Sequence, residues 1–194
     1  MKFLPTTKEE MKNLGWDSID VLLISGDTYL DTSYNGSALV GKWLVEHGFK
    51  VGIIAQPEVD IPDDITRLGE PNLFFAVSGG CVDSMVANYT ATKKRRQQDD
   101  FTPGGVNNKR PDRAVLVYSN MIRRFFKGTT KKIVISGIES SLRRITHYDY
   151  WTNKLRKPIL FDAKADILSY GMGEMSMLQL ANALKNGEDW KNIR

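Results

Sequence analysis

The sequence predicts an α/β domain, with a doubly wound, mostly parallel sheet held between two helix layers in a three-layer, Rossmann-like or flavodoxin-like arrangement. Three observations predict it. Short apolar runs rich in β-branched residues recur along the 194 residues. Stretches of helical length and pattern separate them, and such alternation calls for parallel strands with crossover helices. Several of the runs also end in Ser-Gly or Gly, where a βα turn belongs.

The first run, Asp20–Ser25, reads as a buried strand stopped at Gly26. Gly36–His47 reads as a helix with an apolar stripe of Leu39, Val40, Trp43 and Leu44, and Gly48 stands at its C-cap. Lys50–Ala55 is a second strand, stopped by Pro57. Asp63–Leu68 is a short helix closed by Gly69, and Asn72–Val77 is a third strand running into Ser78-Gly79-Gly80. A helix is expected over Asp83–Lys94, which would put the basic run Lys93–Arg96 at its solvated end. Residues 97–111 are polar and rich in Gly, Asn and Pro, so they read as a long loop. Asp112–Phe126 is a helix with Pro111 and Asp112 at its start. Lys132–Ile135 and Asp166–Tyr170 are the fourth and fifth strands, and Glu174–Leu184 is a closing helix followed by Gly187. The expected division is an extension over 1–19, the α/β domain over 20–187, and the beginning of a linker over 188–194.

Composition narrows the function classes. Hydrophobic residues make up 41% of the chain, enough for a core. No apolar run approaches the roughly 20 residues that span a bilayer, and the opening MKFLPTTKEEMKNLGWD has no signal-peptide core. A cytoplasmic protein without membrane contact is therefore expected. Cys81 is the single cysteine, and His47 and His147 are the only histidines. That inventory excludes an intrachain disulfide, a four-ligand Cys/His zinc site and an iron–sulfur cluster within this chain. The net charge of +4 hides an asymmetry: Lys93–Lys157 carries 17 Lys/Arg against 5 Asp/Glu, and the remainder carries 10 against 18. A basic middle of this kind either faces nucleotide or nucleic-acid phosphate or an acidic partner, or forms a solvated surface whose charges partly face the acidic flanks.

In a doubly wound sheet, ligands bind beyond the carboxyl ends of the strands. The candidate ligand-binding residues are therefore Ser25, Gly26 and Asp27, then Ser78, Gly79 and Gly80, then Ser136 and Gly137, and finally Gly171 and Gly173. Neither GxGxxG nor GxxxxGK[ST] occurs, which disfavours a dinucleotide or P-loop site. Asp27 and Asp31 can hold a cation or ribose hydroxyls, or cap the following helix. Cys81 follows a Gly-Gly turn at a helix start, where a thiol is either activated or buried and inert. The segment Glu139–Trp151 concentrates Arg143, Arg144, His147, Tyr148 and Trp151, residues suited either to ligand contact or to a domain interface. No catalytic residue and no metal-ligand set is assigned.

Several blocks together resemble the N-terminal region of YgiQ-type radical-SAM proteins. They are FLPTTKEEMKNLGWDSIDVLLISGDTYLD, VGIIAQP, LFFAVSGGCVDSMVANYTATKKRR, the PGG and RPDRA stretch, SGIESSLRRITHYDYW and ADILSYGMGE, in that order across nearly the whole chain. The resemblance implies a longer polypeptide whose radical-SAM barrel holds a 4Fe-4S cluster on a CxxxCxxC motif and cleaves S-adenosylmethionine. That motif is absent here, so the chain is expected to be one part of such a protein, or one product of a split reading frame, and inactive alone. Its expected partner is that barrel, in the same chain or as a separate subunit. The expected role is an accessory domain beside the barrel that contacts substrate or a second cofactor, or else a structural docking domain. Some radical-SAM enzymes carry a Rossmann-like domain that binds cobalamin. The histidine-on signature DxHxxG is absent from this chain, which leaves only a histidine-off mode.

Overall fold

A computed structural model describes residues 3–32 and 35–193. Met1, Lys2 and Arg194, the outermost residues of the expected terminal segments, lie outside it. Five parallel strands form one sheet. They are β1 (Val21–Ser25), β2 (Val51–Ala55), β3 (Phe74–Ser78), β4 (Lys132–Ser136) and, after an antiparallel hairpin of β5 (His147–Asp149) and β6 (Lys154–Arg156), the two-residue β7 (Ile167–Leu168). The order is β2-β1-β3-β4-β7. The chain winds outward one way from β1 to β2 and the other way from β1 through β3, so the winding reverses between β1 and β3.

The central strands are buried on both faces, which explains why they read as continuous apolar runs and not as alternating ones. Successive side chains still point to opposite faces. Leu22 and Ile24 join Phe75, Val77, Ile133 and Ile135 in one cluster, packed against α5 (Ala114–Phe125) through Val115, Tyr118 and Ile122. Val21 and Leu23 join Phe74, Ala76 and Val134 in the other, packed against α2 (Gly36–Glu46) through Leu44 and against α8 (Glu174–Lys185) through Met177, Leu180 and Ala181. The smaller helices are α1 (Lys8–Asn13), α3 (Pro62–Thr66), α4 (Ser84–Asn88), α6 (Gly137–Leu142) and α7 (Ile159–Asp162). The N-terminal segment packs onto the domain, with Leu4 and Met11 buried in the two clusters. Beside the outer edge of β2, the N–H of Ile53 donates to the carbonyl of Pro5 at 3.0 Å.

Four expectations need correction. In α2 the buried residues are Ala38, Gly41 and Leu44, and Leu39 is exposed, so the stripe is rotated toward the small residues. The helix expected to reach Lys94 ends at Asn88, whose side chain turns inward to donate to the Arg110 carbonyl and the Asp112 carboxylate. The chain then runs extended and folds back through a Tyr89–Arg95 bridge, so Lys93–Arg96 is not the end of a helix. Pro111 and Asp112 do not open α5. Arg113 adopts a left-handed conformation with φ 55°, and the first amides of the helix are taken up from elsewhere in the chain. The fifth strand is shorter than the apolar pattern suggests: its ladder holds only Ile167 and Leu168, and at its start the Ile133 N–H is taken by the Asp166 carboxylate.

Candidate functional site

The first, third and fourth strands end in the same step of the register: Ser25 lies opposite Ser78, and Ser78 opposite Ser136. Beyond this row of hydroxyls the backbones come very close. The N–H of Gly26 donates to the Ser78 carbonyl at 2.9 Å. A Cβ on Gly26 would sit 2.1 Å from the Gly79 carbonyl oxygen, so only glycine fits there. At Gly80, φ is +112° and a Cβ would meet the Asp27 carboxylate. These turns open a cavity of about 470 Å³ at the carboxyl end of the sheet, where the winding reverses. Leu23 and Ala76 form its floor, Val40 and Met177 its flanks, and Gly171–Glu174 its far wall.

The chemistry of the lining is specific. Among the described residues, five serines, Ser25, Ser37, Ser78, Ser136 and Ser141, line it, and no Lys or Arg does. Three of those oxygens already accept a backbone N–H: Ser25 from Asp27 at 3.1 Å, Ser78 from Gly80 at 3.2 Å and Ser141 from Gly171 at 3.3 Å. An oxygen that accepts in this way keeps its own O–H hydrogen to donate. Cys81 also lines the cavity. Burial, reinforced by the Asp27 carboxylate, pushes its thiol up to about 12, so it stays protonated and is not an activated nucleophile.

Behind the rim lies a buried polar network. Arg110, which is fully buried, pairs with Asp27 at 2.7 Å and Asp99 at 3.1 Å, and donates to the Gly79 carbonyl at 3.4 Å. Asp27 accepts the Cys81 N–H at 2.6 Å. Gln56 donates to the Gly26 carbonyl and to Thr102, which in turn donates to Asp99. The long loop over 97–111 is therefore fastened to the end of β1 by charge and hydrogen bonds. Glu139, also buried, accepts the N–H of Ser84 at 3.1 Å and of Val115 at 3.3 Å, holding the starts of α4 and α5 together under Gly79. Its burial raises its carboxyl above the ordinary range.

Of the residues marked out in the sequence, Ser25, Asp27, Ser78, Gly80, Ser136, Gly137, Gly171 and Gly173 line this one cavity, and Gly26 and Gly79 supply the close backbone behind it. Arg143, Arg144, His147 and Tyr148 do not line it. Arg143 pairs with Asp83, and Arg144 donates to the Ser141 carbonyl and lies over the Tyr170 ring. His147 and Tyr148 sit on the hairpin, where Tyr148 donates to Asn153. Neither Asp27 nor Asp31 caps the following helix: Asn35 caps α2, and Asp31 takes Lys42 at 2.5 Å. Much of the basic middle is engaged by acidic groups, as in Arg95–Asp112, Lys109–Glu58, Arg113–Asp149 and Arg156–Asp162. Sequence reasoning missed Arg110, Asp99, Gln56 and Glu139. A charged pair inside a glycine-rich loop was the available signal, since arginine is buried only when paired. Among the described residues no group of three His, Cys, Asp or Glu can hold a metal ion, and one cysteine does not fit an iron–sulfur cluster. No helix among them is long and apolar enough to cross a membrane.

The profile of the family described as Radical SAM N-terminal matches residues 3–194. The chain belongs to that family. It is 98% identical over all 194 residues to a UPF0313 protein of Fusobacterium nucleatum, of which it covers 34%. It is 54% identical over 98% of its length to one from Methanocaldococcus jannaschii, and 51% identical over 96% to one from Pseudomonas aeruginosa, covering 31% and 25% of those proteins. The chain thus spans about a third or less of these relatives. Among solved structures it is similar to the radical S-adenosylmethionine methyltransferase TsrM of Kitasatospora setae. The form with tryptophan and a SAM analogue matches at TM-score 0.57 and 16% identity over 89% of this chain and 27% of that one. The form with cobalamin and a [4Fe-4S] cluster matches at 0.56 and 16% over 91% and 26%. At this identity the likeness is one of fold, and it agrees with the α/β class expected from sequence.

Proposed function

We propose that this chain is the accessory ligand-binding domain of a radical-SAM enzyme, and that its cavity receives the ring-bearing part of a second cofactor or of the substrate. The observation that supports this most is the convergence of four separate βα turns on one cavity at the reversal of winding. The apolar floor suits a flat ring, and the hydroxyls of Ser25, Ser78 and Ser141, each with a hydrogen left to donate, suit ring nitrogens or carbonyls. Among the described residues no cationic side chain lines the cavity, which argues against a phosphate as the part that enters. The 4Fe-4S cluster and S-adenosylmethionine of such an enzyme belong to the remainder of the longer polypeptide, since nothing here can hold a cluster.

Cobalamin, which TsrM holds in one of its structures, fits this reading only in part. The cavity can take a ring-bearing arm of that cofactor and is too small for the whole molecule. When bound, cobalamin would supply a methyl-carrying or electron-carrying centre. This chain would contribute the floor of Leu23 and Ala76 and the serine hydroxyls, which position the arm and exclude water.

Thermal-shift titrations of the chain with hydroxocobalamin, S-adenosylmethionine, adenosine and inorganic phosphate test the reading, because a ligand of the native state raises the melting temperature by mass action. A ring-bearing ligand should raise it, phosphate should not, and Ala76→Met, which fills the floor, should abolish the shift. Failure of every ring-bearing ligand, with the chain folded, would overturn it.

A further inference from the structure

Beside the mouth of the cavity lies a run of apolar side chains that stand exposed among the described residues. Ile138 and Leu142 stand one turn apart on α6 and are exposed, as is Ile145 just after it. Across from them are Tyr170 at 65% exposure and Met172 at 88%, with Met175 exposed in the first turn of α8. The two sides are tied together: the Gly171 N–H donates to Ser141, and the Arg144 guanidinium lies over the Tyr170 ring at 5.4 Å. Ile138 and Met172 also line the cavity itself, so the patch and the opening are continuous. Contiguous exposed apolar surface is uncommon on a protein that works alone and marks an interaction site.

We propose that this rim is where the remaining part of the same polypeptide docks, and that docking closes the cavity over its ligand. The occupant follows from length: the chain covers 34% of a relative to which it is 98% identical, so about two thirds of that polypeptide lies outside the domain. Its position follows from continuity, because a ligand seated on Ala76 and Leu23 has its outer part at Ile138 and Met172. A second apolar area at Leu155 and Phe161, on the hairpin and α7, does not line the opening, and docking at the rim leaves it uncovered. The proposal shares with the functional reading that this domain works within a longer polypeptide, and its own claim is the surface.

Hydroxyl-radical footprinting of the full-length polypeptide, read by mass spectrometry, tests it. Tyr170 and Phe161 make a matched pair, exposed at 65% and 66% in the domain. In the full-length protein, Tyr170 and Met172 should label at least tenfold more slowly than Phe161. Equal labelling of Tyr170 and Phe161, whether both fast or both slow, would overturn the proposal. Protection of Tyr170 that appears only as protein concentration rises would overturn it in favour of a second copy. Ligand binding together with an unprotected rim would remove this proposal and leave the functional reading standing. A protected rim without ligand binding would do the reverse.

Discussion

Arg110 reaches from the far end of a glycine-rich loop to Asp27, 2.7 Å away at the end of β1, and both side chains are almost wholly buried. Removing the guanidinium leaves Asp27 and Asp99 buried without their cation. Arg110→Met should therefore cost about 3–5 kcal/mol of stability, the range for breaking one side of a buried ion pair. Urea denaturation measures it, and the loop over 97–109 should become the first site of proteolytic cleavage. A loss below about 1 kcal/mol would mean that water replaces the pair.

Two glycines of the rim should behave in opposite ways. At Gly26 a methyl group would overlap the Gly79 carbonyl, so Gly26→Ala should cost about 3 kcal/mol through forced backbone movement. Gly36, in the first turn of α2, has open space around its missing Cβ. Gly36→Ala should be neutral or stabilising by about 0.5–1 kcal/mol. Melting temperatures of the two variants decide it.

Asp149 governs part of the acid limb. Burial pushes its carboxyl up, but hydrogen bonds from Thr152 and Arg113 and the charges of Arg113 and Arg156 outweigh that and hold it well below the ordinary range. A folded-state pKa below the unfolded one gives stability that is fully present above about pH 4 and is lost as pH falls further. Asp149→Asn should lower stability by about 1–3 kcal/mol at pH 7 and flatten its fall between pH 4 and 2. Urea midpoints across that range provide the check.

Cys81 should be a slow nucleophile. With its thiol pushed up to about 12, the thiolate fraction at neutral pH is far below that of an ordinary cysteine. Even allowing for the higher intrinsic nucleophilicity of a more basic thiolate, alkylation by iodoacetamide at pH 7.5 should be about a hundredfold slower than for glutathione. A comparable rate would contradict this environment.

The parallel sheet was legible because buried strands such as Val21–Ser25 and Phe74–Ser78 announce themselves as unbroken apolar runs closed by glycine. The rim was legible for the same reason, since Ser25, Ser78 and Ser136 follow those runs directly and parallel pairing places them side by side. The support behind the rim was not. Arg110 and Glu139 meet their partners only after the chain has crossed the sheet, and no local spacing records such a meeting. Asn88 shows the limit at short range: a helix was expected over Asp83–Lys94, and it ends at Asn88, whose side chain donates to the distant Arg110 carbonyl.

The two ends of the sheet bear on how the domain keeps company with copies of itself. A parallel sheet has two free borders, each able to recruit a foreign strand. On one side the border strand, β7, is two residues long and offers little ladder to extend. On the other, the segment through Pro5 lies along β2, and proline has no N–H to pass the pattern on. The domain can therefore carry an apolar rim at the cavity end of its sheet without also presenting a template for strand-by-strand aggregation.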